Sequence, residues 1–259
     1  MKCAELIDLH QRTALVVGST AGIGRAIANL FAECGARIVH SGRSMDRVAA
    51  AVNDTRAAGG DALGFALDIA DAQDVARFAS DVRAAVSHID ILVISAAINP
   101  RFGSLRTLPA KDWDRVMQAN VKSVWQLANA FLPDMAGVED GAMIVVSSIS
   151  AFVGTANLGV YGTSKAAENG LVRSLAVEWG GRGITINAIV PGIIRTNFSK
   201  ALWGNQSYVK RYTAQIPVGR MGEVEDVAAL ALLLAGPGGR FITGQSILVD
   251  GGISIADRG

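Results

Sequence analysis

Short, nearly continuous apolar runs recur along the chain, as in "TALVVG" (13–18) and "DILVIS" (90–95). Runs of this length without polar alternation are typical of strands that helices cover on both faces. The pattern predicts strands over residues 13–18, 36–41, 62–68, 90–95, 141–148, 183–190 and 246–252.

Amphipathic stretches separate these runs. In "GIGRAIANLFAECG" (22–35), Ile23, Ile27, Leu30 and Phe31 share one helical face, and the glycine that closes the stretch can end the helix. Similar stretches predict helices over residues 22–35, 46–60, 71–86, 111–134, 159–180 and 223–236. The alternation predicts an α/β fold, a doubly wound parallel sheet of about seven strands with helices on both faces.

No linker interrupts this series, so residues 1–259 are predicted to form a single domain. The stretch from residue 191 to about 220 shows no regular pattern. Long irregular stretches inside a compact domain are often functional, so this one is the candidate substrate lid.

Composition narrows the class of protein. Half of the residues are hydrophobic, 18% are charged, and the formal net charge is +1, with no block of like charge. This balance argues against a nucleic-acid or anionic membrane partner. The N-terminal "MKCAELIDLH" has acids where a signal peptide is apolar, and the run at 227–236 is about half the roughly 20 residues of a membrane span. We expect a soluble protein with a cytoplasmic location.

Some chemistries find no support in the residues. Only Cys3 and Cys34 are present, and the three histidines form no cluster, so neither a disulfide framework nor a metal site is predicted. There is no G-x-S-x-G motif of a serine hydrolase.

A glycine-rich turn, "VVGSTAGIG" (16–24), follows the first strand and opens the first helix. Gly18 permits the sharp turn, Gly22 lets the backbone approach a pyrophosphate, and Gly24 allows the helix to pack close to the strand. The N–H groups of the helix would face the phosphates. A tight loop in an α/β protein without a nucleotide remains the alternative interpretation of the turn alone.

A tyrosine and a lysine provide candidate acid–base chemistry. Tyr161 and Lys165 are four residues apart in a predicted helix, so they share a face. A phenol is too weakly acidic for efficient proton transfer at neutral pH, and a nearby ammonium lowers its pKa. A chance pair on a helix surface is the alternative. Gly18, Ser95, Ser148 and Pro191 fall at predicted carboxyl ends of strands, where open α/β sheets bind ligands.

Several motifs in order resemble the short-chain dehydrogenase/reductase family of the classical type: the G-x-x-x-G-x-G spacing, "ALDIAD", "QANVKSVW", "VVSSIS", "YGTSK", "PGIIRT" and "ITGQSILVDGG". The overall pattern is similar to that of 3-oxoacyl reductase-like and tropinone reductase-like members. The resemblance covers nearly the whole chain and implies a Rossmann fold.

The resemblance implies a catalytic role for four residues. Tyr161 exchanges a proton with the substrate oxygen, and Lys165 binds the nicotinamide ribose and lowers the pKa of the tyrosine. Ser148 holds the substrate oxygen, and the spacing of 13 residues to the tyrosine favours it over Ser147. Asn120 supports a water in a proton relay, unless it is only a polar residue in a buried helix kink. No metal is implied.

The same resemblance implies the residues that bind the cofactor. They are Gly18, Ser19, Thr20, Gly22, Ile23, Gly24, Ser41, Arg43, Asp68, Ile69, Ser95, Ala96, Tyr161, Lys165, Pro191, Gly192, Ile194 and Thr196.

The stretch "HSGRS" (40–44) bears on the choice between NADP(H) and NAD(H). Members that prefer NAD carry a carboxylate where Gly42 stands, and Arg43 resembles the arginine that binds the 2′-phosphate in members that prefer NADP. Ser41 and Ser44 can add hydroxyl donors. NADP(H) is favoured, and NAD(H) stays open because Thr20 supplies no basic group in the glycine turn and the arginine can also be a solvated helix residue.

One segment departs from the family. Its Asn-Asn-Ala-Gly after the fourth strand is replaced by "ISAA" (94–97), where only Ala96 matches and Ala97 adds a methyl group to the cofactor wall. An altered wall that still binds cofactor is expected.

The leading hypothesis is an NADP(H)-dependent oxidoreductase that reduces a ketone or oxidises a secondary alcohol, with a small-molecule substrate. A catalytically silent, nucleotide-binding regulatory protein on the same fold is the alternative, and a Rossmann-like methyltransferase is a weaker one, since it leaves Tyr161 and Lys165 unexplained. The resemblance also implies a homotetramer, or a homodimer.

Overall fold

The computed structural model describes residues 2–99, 102–137 and 140–256. The described chain contains seven strands: β1 (Thr13–Val17), β2 (Arg37–Gly42), β3 (Ala62–Ala66), β4 (Ile91–Ile94), β5 (Gly141–Val146), β6 (Ile184–Pro191) and β7 (Ser246–Val249). They form one sheet in the order β3-β2-β1-β4-β5-β6-β7, and neighbouring strands are parallel throughout. The predicted doubly wound α/β fold in a single domain is confirmed.

Helices cover both faces of the sheet. The larger ones are α1 (Gly22–Glu33), α2 (Met45–Ala57), α3 (Ala72–Ala85), α4 (Ala110–Met117), α5 (Ser123–Met135), α6 (Gly159–Trp179) and, after two short helices described below, α9 (Val224–Ala235). Leu15 and Val17 of β1 pack in a core with α3, α5 and α6, while Ala14 and Val16 pack in a second core with α1, α2 and α9. Alternate residues of the central strands therefore face opposite cores, which is why these strands are mostly apolar.

The helix predicted over 111–134 is present from Ala110 to Met135 and contains one irregularity that the sequence did not indicate. A π turn at Gln118–Lys122 separates α4 from α5. The fully buried Asn120 lies in this turn, and its amide side chain bonds to groups outside the helix. Apolar spacing continues on both sides, at Val116 and Val124, so the sequence pattern does not show the interruption.

The stretch 191–220 is more regular than predicted. It holds two short helices, α7 (Lys200–Trp203) and α8 (Gln206–Thr213). Asn205 caps the second, since its side-chain oxygen accepts a hydrogen bond of 3.1 Å from the backbone N–H of Tyr208. In the described part of the chain, no helix has both the length and the apolar composition that crossing a bilayer requires.

Candidate active site

The parallel sheet brings its carboxyl ends to one edge, where the residues selected from the sequence gather. Gly18 follows β1, Ser95 follows β4, Ser148 lies two residues beyond β5, and Pro191 ends β6. The predicted placement of these residues at strand ends is confirmed. Carboxyl-end crevices of such sheets are where ligands bind.

The glycine-rich turn is packed so tightly that side chains have no room. Gly18 has φ +86°, and a Cβ on it would lie 2.8 Å from the backbone nitrogen of Ala96. A Cβ on Gly24 would lie 2.3 Å from the carbonyl oxygen of Gly18. Gly22 has φ +57° and faces Thr196, whose Cγ2 would lie 3.3 Å from an added Cβ. These contacts fit the roles predicted for the three glycines, since the turn, the helix and the strand lie in direct contact.

Strand β2 holds this turn in place through hydrogen bonds from Ser41. The carbonyl of Ser41 accepts hydrogen bonds from the N–H groups of Gly18 (3.2 Å) and Ser19 (3.0 Å). The Ser41 hydroxyl is buried and has no hydrogen-bond partner. Ser19 is fully buried, and its Oγ accepts from the Ser41 N–H at 3.0 Å.

A buried histidine, which the sequence analysis did not select, also contacts this turn through Ser19. His40 Nδ1 lies 3.0 Å from the Ser19 Oγ, and its Nε2 lies 2.9 Å from the Thr55 Oγ1. Burial, and then the positive charge of Arg25, lower the pKa of His40 to about 4. The imidazole is therefore neutral at pH 7 and connects the turn to α2.

The end of β2 carries the residues that bear on cofactor choice. A Cβ on Gly42 would lie 2.6 Å from the Cγ2 of Thr20, so this position has no space for a side chain while the threonine keeps its place. Arg43 is exposed just beyond the strand. Ser44 caps α2, because its hydroxyl accepts a hydrogen bond of 3.4 Å from the N–H of Arg47.

The remaining predicted cofactor residues line the same edge. The N–H groups of Ser95 and Ala96 both donate to the carbonyl of Val17, at 2.9 and 3.0 Å, so "ISAA" holds β4 against β1 through its backbone. The half-buried Asp68 accepts a hydrogen bond from the N–H of Ala70, and Ile69 is buried.

The segment after β6 is also ordered by its own hydrogen bonds. Gly192 donates its N–H to the carbonyl of Val249, and Ile194 is buried. The carbonyl of Thr196 accepts a hydrogen bond of 2.7 Å from the indole of Trp203, which ties α7 to this end of the sheet.

Tyr161 lies in the first turn of α6, with 9% of its surface exposed. Its ring packs against Phe198, with 6.1 Å between centroids. Burial raises the pKa of the phenol, and Glu168 adds to the rise, whereas Lys165 and a hydrogen bond with Ser148 lower it. The phenol thus has a hydroxyl and an ammonium as neighbours, and both favour its ionised form.

The two candidate serines have different surroundings. Ser147 is 4% exposed, and its hydroxyl donates to the backbone carbonyl of Lys165 at 3.2 Å. The half-buried Ser148 bonds to Tyr161 and accepts a hydrogen bond of 3.1 Å from the N–H of Ser150. The geometry agrees with the choice of Ser148, while the Ser147 hydroxyl joins the end of β5 to α6.

Lys165 is 2% exposed, and its ammonium lies 5.7 Å from the centre of the Tyr161 ring. The ammonium donates to the carbonyl of Val146 at 2.9 Å and to Glu168, whose Oε1 and Oε2 lie at 2.8 and 3.0 Å. The sequence analysis missed Glu168. Its position three residues after Lys165, on the same face of the predicted helix, is the signal that could have found it.

Asn120 connects three parts of the site. Its Oδ1 accepts from the N–H of Ile98 at 2.8 Å, and its Nδ2 donates to the carbonyl of the same residue and to the Ser164 hydroxyl, both at 3.0 Å. Ser164 in turn donates to the carbonyl of Tyr161 at 2.7 Å. Asn120 is therefore buried in a π turn beside α6, and its part in a proton relay stays a prediction. Among the described residues, no group of three or more His, Cys, Asp or Glu side chains is placed to hold a metal ion.

Comparison with known proteins adds independent findings. The sequence model of the family described as Enoyl-(Acyl carrier protein) reductase matches residues 17–254. Dehydrogenase/reductase SDR family member 2, mitochondrial, from Homo sapiens is 38% identical over 243 residues, which cover 94% of this chain and 86% of that protein.

Two solved structures are similar over almost their full length. A putative NAD(P)-dependent gluconate 5-dehydrogenase from Beutenbergia cavernae with bound NADP is 34% identical, with a TM-score of 0.90 over 95% of this chain and 98% of that one. A gluconate 5-dehydrogenase from Burkholderia cenocepacia in complex with NADP and tartrate is 29% identical, with a TM-score of 0.93 over 99% of this chain and 100% of that one.

Proposed function

The chain belongs to the short-chain dehydrogenase/reductase family, NAD(P)-dependent enzymes that act on alcohol and carbonyl groups, and from this we propose that it uses NADP(H) to interconvert a ketone and a secondary alcohol, with Tyr161 as the acid–base. The observation that carries the proposal is the buried Tyr161 between Ser148 and Lys165 at the carboxyl edge of the sheet. No feature of the site favours a silent regulatory protein, which would not need this arrangement.

Each residue of the site has a part in proton transfer. The Tyr161 phenol gives its proton to the substrate oxygen during reduction and removes one during oxidation, while the Ser148 hydroxyl donates a hydrogen bond to that oxygen and fixes its position. The Lys165 ammonium stabilises the phenolate. Asn120 fixes the loop after β4 against α6 through Ile98 and Ser164.

The residues of the glycine-rich turn fit a dinucleotide. The turn presents backbone where a Cβ on Gly18 or Gly24 would collide with neighbouring backbone atoms, and α1 directs its first N–H groups outward beyond it. We assign the pyrophosphate to this turn, the adenosine end to Arg43, Asp68 and Ile69, and the nicotinamide end to Lys165 and the segment 191–196. The cofactor, when bound, supplies or accepts the hydride.

For the substrate we propose a small carbonyl compound bound under the segment 191–220 as a lid. Phe152 follows β5 and Phe198 follows β6, and their side chains are 56% and 63% exposed. They therefore offer apolar surface to the substrate. Two similar structures are gluconate 5-dehydrogenases, and 3-oxoacyl compounds share the ketone chemistry, so both classes belong in a substrate panel. A homotetramer and a cytoplasmic location stay predictions.

The test is Tyr161→Phe, which removes the acid–base hydroxyl and keeps the ring. In a panel of ketones, sugar acids and 3-oxoacyl thioesters followed by NADPH absorbance, we expect kcat/KM to fall about 10²- to 10⁴-fold. Ser174→Ala, which also removes one hydroxyl but at an exposed position farther along α6, is the control and should keep wild-type activity.

A Tyr161→Phe variant with wild-type kcat/KM would overturn the assignment of Tyr161. A wild-type protein that binds NADPH and reduces no member of the panel would instead favour the silent regulatory protein.

A further inference from the structure

Glu168 is a buried acid that the proposed reaction does not use. It lies on α6, one turn beyond Lys165, and the two side chains are 1% and 2% exposed. Both carboxylate oxygens and the carbonyl of Val146 lie within 3.0 Å of the ammonium. Three acceptors therefore meet the three N–H donors of the lysine.

Other charged groups lie farther away. The parts of β5, β6 and the turn at Ile149–Ala151 that pack on α6 contain no titratable side chain. In α4, the π turn, α5 and the turn Gly180–Arg182, Asp112 is half-buried and the other charged residues are exposed. The exposed ones are Lys111, Asp114, Arg115, Lys122, Asp134 and Arg182. In the described chain, Lys165 is the charged group that acts on the pKa of Glu168, and Tyr161 is the neighbour on which Glu168 acts.

We propose that Glu168 is a positioning residue for Lys165. The Glu168 carboxylate fixes the Lys165 ammonium beside Tyr161 and offsets the positive charge of the ammonium there. The inference rests on the proposed function of Tyr161 and Lys165. A buried carboxylate is costly unless it is paired, and Glu168 has its pair in the lysine. The pair is close to neutral as a unit, so the phenol is exposed to less positive charge than an isolated ammonium would give.

The pKa directions agree with this geometry. Burial alone would lower the pKa of Lys165, but Glu168, and then Tyr161, raise it above its ordinary value. Burial raises the pKa of Glu168 to about 7, although Lys165 opposes the rise. Above pH 7 the carboxylate is charged, and it raises the pKa of Tyr161. Its removal should make the phenol more acidic.

The test titrates Tyr161 in the protein without cofactor. Tyrosinate absorbance is followed with pH, and the signal of the Tyr161→Phe variant is subtracted to remove Tyr208 and Tyr212. Glu168→Gln keeps the size of the side chain and removes its charge, and we expect the phenol midpoint to fall by about one pH unit or more.

Two variants serve as controls. Glu178→Gln makes the same change at an exposed position of α6 and should leave the midpoint unchanged. Glu168→Asp restores the charge and should return the midpoint towards that of the wild type. Should Glu168→Gln fail to fold, Glu168→Met removes the charge with an apolar chain of similar length and carries the same expectation.

A second readout is the pH profile of alcohol oxidation, where the rise of kcat/KM with pH should move to lower pH in Glu168→Gln by a similar amount. A phenol midpoint that is unchanged or higher in the uncharged variant overturns the proposal. The titration needs no turnover, so it decides the role of Glu168 even if no substrate reacts. A failure to react with any substrate would count against the proposed function alone.

Discussion

Arg43 and Gly42 argue for a preference for NADP(H) at the scale of single residues. A carboxylate at Gly42 would repel a 2′-phosphate, and a Cβ there would lie only 2.6 Å from the Thr20 methyl carbon. The exposed Arg43 next to it can pair with that phosphate through its guanidinium. The phosphate, which NAD lacks, would be the group that the arginine recognises.

Arg43→Ala should therefore raise the KM for NADPH about tenfold or more, as expected for a lost charge-assisted hydrogen bond, and change that for NADH little. The measurement is the KM for each cofactor with one substrate at saturation. Arg47→Ala, a neighbouring exposed arginine on α2, should change neither. Equal effects of Arg43→Ala on both cofactors would rule out the preference.

Residue identities were predictable where a spacing carries the chemistry. Tyr161, Lys165 and the glycine turn form recognisable patterns, and the structure brings them to one edge. His40 lies outside any such pattern, and Glu168 shows only a spacing of three residues to Lys165. Each is a polar residue within an apolar run or face, and its role depends on partners distant along the chain or on the depth of burial, which a single sequence does not show.

At the scale of elements, the π turn at Gln118–Lys122 depends on Asn120. The widened turn places this side chain against Ile98 and Ser164, where it makes three hydrogen bonds. Its removal leaves the N–H and carbonyl of Ile98 without these partners, and an unsatisfied buried group costs about 1–3 kcal/mol.

Asn120→Ala should lower the free energy of unfolding by about 2–4 kcal/mol, measured with urea, because several buried polar groups lose their partner together. The exposed Asn53 on α2 provides the control, since Asn53→Ala should change stability by less than about 0.5 kcal/mol. An Asn120→Ala protein as stable as this control would show that the kink does not depend on the amide.

The elements themselves were predicted to within a few residues where hydrophobic period and length agree, as for β1 and α6. The helix predicted over 111–134 was found from Ala110 to Met135, but the π turn within it was missed, because this turn adds a residue without breaking the apolar spacing. The two short helices between residues 200 and 213 were missed since they present little apolar surface to a core.

At the scale of the whole molecule, two buried groups give stability opposite dependences on pH. His40 is neutral in the folded chain down to about pH 4, so the unfolded chain binds the extra proton between about pH 4 and 6.5, and this contribution to stability rises with pH there. Glu168 keeps its proton in the folded chain up to about pH 7, so its contribution falls as pH rises from about 4.5 to 7. In the wild type the two slopes oppose each other.

Removing either group should therefore tilt the stability curve in a known direction. Relative to the wild type, the free energy of unfolding of Glu168→Gln should increase as pH rises from about 4.5 to 7. That of His40→Gln should decrease relative to the wild type, by about 3 kcal/mol, as pH rises from about 4 to 6.5. Urea unfolding of the three proteins at a series of pH values measures both differences, and the slope separates the proton effect from any constant loss of packing. Parallel curves for all three would mean that neither group changes its proton affinity on folding.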